Sequence, residues 1–206
     1  MSITTYGELK TAVASYLNRA DLTSYIPDFI TLGMQRINYG ADMPYPSQPL
    51  RIPAMQEQAT GTISAGSIAF PTGFLEPIRV AVSSNGASWS LGYIPPERFS
   101  EVANSTALPV EYTYLDNAIK VPGSASSYTL DYYKAFTAFS ADADTNWLLT
   151  NAPGVLLYAA LMESAPFLGA DERINGWFGM LKSAISGLNR STMRQGGGSL
   201  QVRVVK

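Results

Sequence analysis

The chain has 206 residues, a formal net charge of −2 and a pI near 5.1. Apolar residues make up 46% of it and charged residues only 15%, against the ~25% usual for soluble domains. It has no cysteine and no histidine, which excludes thiol chemistry, disulfides, imidazole general bases and His-ligated metal sites, and the acidic balance offers no basic footprint for nucleic acid.

The N-terminal Met1-Ser2-Ile3-Thr4-Thr5 lacks the charged and apolar regions of a signal peptide. Thr5 and Glu8 form a capping-box pattern ahead of Leu9, Val13, Tyr16 and Leu17, which predicts a helix ending near Asn18 or Arg19. Asp21–Ser24 reads as a turn. Pro27 opens a second helix with Ile26, Phe29, Ile30, Met34 and Ile37, closed by Gly40. Pro44, Pro46 and Pro49 then force extended chain.

From about Leu50 to Phe136 the pattern is β. Strands are predicted at Gln56–Ile63, Ser67–Phe70, Phe74–Val82, Trp89–Tyr93, Val110–Leu115, Ala118–Val121 and Tyr128–Lys134. Asn85-Gly86 and Asp116-Asn117 supply hairpin turns, Pro77 suits an edge, and Pro95 to about Val102 reads as a short helix. The whole suggests a small antiparallel sandwich or barrel.

Asn146–Asn189 is the most distinctive stretch. Between Trp147 and Gly169 the only charged side chain is Glu163. A helix from about Pro153 to Leu168 carries two apolar stripes, one of Val155, Ala159 and Met162, the other of Leu157, Leu161, Ala165 and Leu168, where a surface helix needs one. It is too short for a membrane span, which needs ~20 apolar residues. Asp171 caps a following helix with one clean face of Ile174, Trp177, Phe178, Leu181, Ile185 and Leu188. After Gly196-Gly197-Gly198, a hinge, Leu200, Val202 and Val204 alternate with Gln201, Arg203 and Val205.

The predicted fold is α+β. A helical bundle is built from residues 1–42 and 142–194, a β insert from 43–141, and an extended tail from 195–206. No cofactor, metal or catalytic residue is expected. Asp142 with Asp144 and Asp171 with Glu172 sit at helix starts, where acidic residues cap and favour the dipole. No Gly-x-Ser-x-Gly elbow occurs. Trp89, Tyr93, Tyr112, Tyr114, Tyr128, Tyr132 and Tyr133 crowd the insert; they suit sheet packing or an interface, with sugar stacking the alternative.

Three runs carry a family likeness. Tyr16-Leu17-Asn18-Arg19-Ala20-Asp21-Leu22 with Ile26-Pro27-Asp28-Phe29-Ile30 resembles the opening of head–tail adaptor (connector) proteins of tailed phages, particularly those with short tails. Phe70-Pro71-Thr72-Gly73-Phe74-Leu75-Glu76 resembles their LPxxFLE strand, and Asn146-Trp147-Leu148-Leu149-Thr150-Asn151-Ala152-Pro153 with Leu157-Tyr158-Ala159-Ala160-Leu161 their NWLL signature. Asp171-Glu172-Arg173 followed by Trp177 fits too.

The resemblance implies a structural virion protein, made in the bacterial cytoplasm. It would form a homo-oligomeric ring, commonly dodecameric, between portal protein and tail tube or nozzle protein, and genomic DNA would pass its bore without specific binding. A carbohydrate- or cell-wall-directed tail protein, perhaps hydrolytic, is the alternative. On the adaptor reading Trp147, Leu157, Leu161 and Met162 are the expected subunit interface. Leu200, Val202, Arg203 and Val204 form the expected portal-binding tail, whose other reading is a strand added to the β insert of this chain or of a neighbouring subunit.

Overall fold

The computed structural model describes residues 3–102, 107–169 and 171–195. Among them the fold is mixed α+β, with seven α-helices and two small sheets. The chain forms two compact units: a helical unit, Met1–Ala54 with Phe136–Lys206, and an inserted unit, Met55–Ala135.

The helical unit opens with α1 (Tyr6–Leu17). The Thr5 hydroxyl accepts from the Glu8 N–H, the Glu8 carboxylate accepts from the Thr5 N–H, and Asn18 ends the helix in the left-handed conformation at φ 51°. Ala20–Tyr25, expected as a turn, forms a 3₁₀ helix. It leads into α2 (Ile26–Tyr39), with Pro27 in the first turn and Gly40 as C-cap. The Pro-rich segment is closed on itself by Ala41 and Ser47, whose backbones exchange hydrogen bonds of 2.8 and 2.9 Å.

The long apolar stretch is broken into three helices: α4 (Trp147–Asn151), α5 (Pro153–Glu163) and α6 (Ala165–Leu168). The single helix expected from Pro153 to Leu168 is interrupted at Ser164, just before Pro166, which cannot continue the ladder. Helix α7 (Arg173–Gln195) is the longest. Helix α5 packs against α2, α7 and α1.

In the inserted unit the strands are β1 (Gln56–Thr62), β2 (Ser67–Ala69), β3 (Phe74–Ser84), β4 (Ala87–Ser90), β5 (Gly92–Tyr93), β6 (Glu111–Leu115), β7 (Ala118–Lys120) and β8 (Ser127–Lys134); α3 (Pro96–Val102) follows β5. One sheet runs β1-β8-β3-β4 and is antiparallel throughout; the other runs β2-β7-β6-β5. Both contribute to one core of Ile68, Val80, Val82, Leu91, Tyr112, Ile119, Val121, Leu130 and Tyr132.

The structure corrects two sequence expectations in this unit. The return strand Trp89–Tyr93 is split: β4 ends at Ser90, and Gly92–Tyr93 joins the second sheet parallel to β6, so that sheet is mixed. Buried Leu91 is the crossover, its N–H donating to the Val80 carbonyl of one sheet while that of Gly92 donates to Val110 next to the other. Pro77 lies in β3, an inner strand, yet β4 pairs only with Ala81–Ser84. Pro77 therefore faces a locally open side, between two register shifts.

Candidate interaction surfaces

Helix α5 is where apolar surface was expected to be left over. Val155, Leu156, Leu157, Ala159, Ala160, Leu161 and Met162 are all buried within this one chain. Helix α2 brings Phe29, Ile30, Met34 and Ile37, and α7 brings Ile174, Trp177, Leu181 and Ile185, all buried as well. At Gly33 the α2 backbone comes so close to α5 that an added Cβ would stand 2.9 Å from the Ala159 carbonyl carbon and the Ala160 nitrogen. Leu157, Leu161 and Met162 are thus buried inside the chain, while Ala165 and Leu168 of the second stripe are half-buried. Trp147 is different: it is 37% exposed, and its ring stacks on Phe136 at 6.2 Å.

The lone charge of this stretch, Glu163, is answered from α2. The Arg36 guanidinium bonds to Glu163 through Nε at 2.5 Å and donates from Nη1 to the Tyr45 carbonyl at 3.0 Å. Both side chains are largely buried, so the pair fixes the end of α5 and the Pro-rich segment to one point on α2.

The residues that carry the family likeness are mostly builders of this frame. Asn146 caps α4 by accepting from the Leu149 N–H, and Leu148 and Leu149 are fully buried. Phe70 and Phe74 stack at 4.5 Å across the turn at Gly73, whose φ is 76°. Asp171 accepts from the Arg173 N–H and side chain, Arg173 donates on to the Tyr16 carbonyl at the end of α1, and its guanidinium lies over the Trp177 ring. The Arg173 side chain, then its N–H, holds the Asp171 carboxyl below its ordinary pKa. Asp144 is held low by the N–H groups of Ala141 and Ser140. Asp171 caps the start of α7, whereas the Asp144 carboxylate closes a turn at 140–144 and the cap of α4 falls to Asn146.

Apolar surface does remain. On the helical unit Tyr16, Tyr25, Leu32, Tyr39, Met43, Phe167 and Met180 are exposed. Tyr25 and Phe167 form an open aromatic cluster with buried Phe29, at ring distances of 5.3 to 6.4 Å. On the inserted unit Tyr93, Leu108 and Val110 are exposed. Tyr93, Tyr112 and Tyr114 contact one another at 5.6 to 5.8 Å, and burial pushes the Tyr114 hydroxyl pKa up. Sequence periodicity cannot find such surfaces, because an exposed ring at helical spacing reads the same as a buried one. Leu200, Val202, Arg203 and Val204 lie outside the described residues, and no described helix is long and apolar enough to cross a membrane.

The match to a protein family supplies the class: a phage structural protein with an adaptor role. The chain belongs to the SU10 adaptor protein family, a phage head–tail adaptor family, whose model matches residues 4–203. As a phage structural protein it is a component of the virion and contacts other head and tail proteins. No curated protein matches the chain.

Proposed function

We propose that this protein is a ring-forming head–tail adaptor: about twelve copies, the number the family resemblance implies, join the portal to the tail tube or nozzle and enclose the path of the genome. The observation that carries this is the family match over residues 4–203. The exposed aromatic and aliphatic side chains support it, since apolar patches left open on a monomer invite association.

Ring contacts use exposed groups, Trp147 among them, while Leu157, Leu161 and Met162 hold the frame that presents them. The segment after the glycine hinge is a coupling strand, because a lone alternating strand has no stability in water and must borrow a sheet edge. DNA passes without being gripped: a chain of net charge −2 gives counterion release little to drive it. Mixing purified protein with portal rings tests the junction, and co-sedimentation is the expected result. Failure to bind portal, or tight DNA binding that weakens steeply with salt, contradicts the reading.

A further inference from the structure

The coupling strand needs an edge, and the inserted unit has one whose pattern fits. Strand β1 pairs with β8 along its whole length, and no described strand lies on its other side. Open edges are templates for a further strand and are usually blunted by proline, lysine or a bulge. The β1 sequence, Gln-Glu-Gln-Ala-Thr-Gly-Thr, has neither residue, and its register with β8 runs without a shift.

The two faces of β1 differ. Glu57, Ala59 and Gly61 stand opposite Tyr132, Leu130 and Tyr128, which belong to the core or pack on it. The Tyr128 ring lies across Gly61, where an added Cβ would meet it at 2.9 Å. On that face the core reaches the edge through two small residues, Ala59 and Gly61. The opposite face is polar: Arg79 and Gln58 both donate to the Asp131 carboxylate, at 2.8 and 2.6 Å, in a row that crosses three strands and stops at β1.

We infer that β1 accepts the segment Leu200–Val205 of a second copy of this chain as a fifth, antiparallel strand beside the four of its sheet. With Val202 opposite Ala59, Leu200 falls opposite Gly61 and Val204 opposite Glu57. Leu200 and Val202 then continue the core face over the Tyr128 ring, and Val204 lies beside the Glu57 carboxylate, which the Lys134 ammonium holds at 3.0 Å. Gln201 and Arg203 fall opposite Thr60 and Gln58, so Arg203 extends the row of Arg79, Asp131 and Gln58. The donor is a neighbour because a ring needs contact between two unlike surfaces, and a strand given by one copy to the edge of the next is such a contact. The inference therefore rests on the ring reading and moves the tail from the portal to the adjacent subunit.

The absence of native cysteine makes the test clean. Chains carrying only Ala59→Cys and chains carrying only Val202→Cys are mixed, assembled with portal rings and oxidised, with Thr60→Cys in place of Ala59→Cys as the wrong-face control. A disulfide-linked dimer that falls at least tenfold in the control is expected. Rings that form without cross-linking overturn the strand while leaving the ring reading intact; no rings with the unaltered chain sinks the ring reading itself. A chain carrying both cysteines that links only within itself, even in rings, shows that the tail folds back on its own chain and overturns the donation. A chain lacking Ser199–Lys206 that still forms rings of normal stability but no longer binds portal returns the tail to the portal.

Discussion

At the residue scale, the sole charge in the apolar stretch is kept there by one partner. Removing one member of a largely buried pair strands the other, at a cost of about 3–5 kcal/mol. Glu163→Leu or Arg36→Met alone should therefore lower the unfolding midpoint by many degrees. The double variant should recover much of the loss, and thermal unfolding by circular dichroism reads it; equal loss in all three would show that the pair does not act as a unit. Acidity is a second residue-scale matter. Glu8 is held low chiefly by the Thr4 N–H, Asp131 by the Gln58 amide and then Arg79, and Asp171 by Arg173. A carboxyl whose folded pKa is depressed adds stability that is fully present above its unfolded value of about 4 and is lost as pH falls through the folded value. Stability should be flat from about pH 6 to 9, where no histidine titrates, and should fall below about pH 5. A maximum near pH 6.5 with losses on both sides would contradict this.

At the element scale, α5 is held by closeness as much as by apolar area. Gly33→Ala must push α2 off the α5 backbone and should cost about 1–3 kcal/mol. Gly179→Ala on α7, where an added Cβ meets nothing within 4 Å, should be neutral or stabilise by up to about 1 kcal/mol. Denaturant melts of the two variants give the comparison, and equal effects would show that the close approach is not what the glycine provides. Leu157→Glu places a charge in the core and should unfold the protein, so soluble folded monomers of that variant would put Leu157 at a surface after all. Much of this scale is legible in the sequence wherever a signal is local. The Thr5/Glu8 box, Pro27, Gly40 and the Asn85-Gly86 and Asp116-Asn117 turns, with φ between 51° and 80°, each act through neighbours a few residues away. What is not legible depends on distant partners. Nothing in Trp89–Tyr93 says that Gly92 will leave one sheet for the other, and nothing in the apolar run of α5 says that α2 and α7 will bury its aliphatic residues from Val155 to Met162.

At the scale of the whole molecule, the helical unit spends its most apolar helix on its own core and leaves aromatic side chains such as Tyr25 and Phe167 outside. That division is what an assembling subunit needs: a frame that folds before its partners arrive and surfaces that wait for them. The central claim is that this chain works as a multi-subunit ring on the portal. Particle mass measured in solution, for the protein alone and after mixing with portal rings, tests it most directly. The account predicts a closed particle of about twelve 22.2 kDa chains, alone or on the portal. A 22.2 kDa monomer in both conditions, with portal mass unchanged, would contradict it.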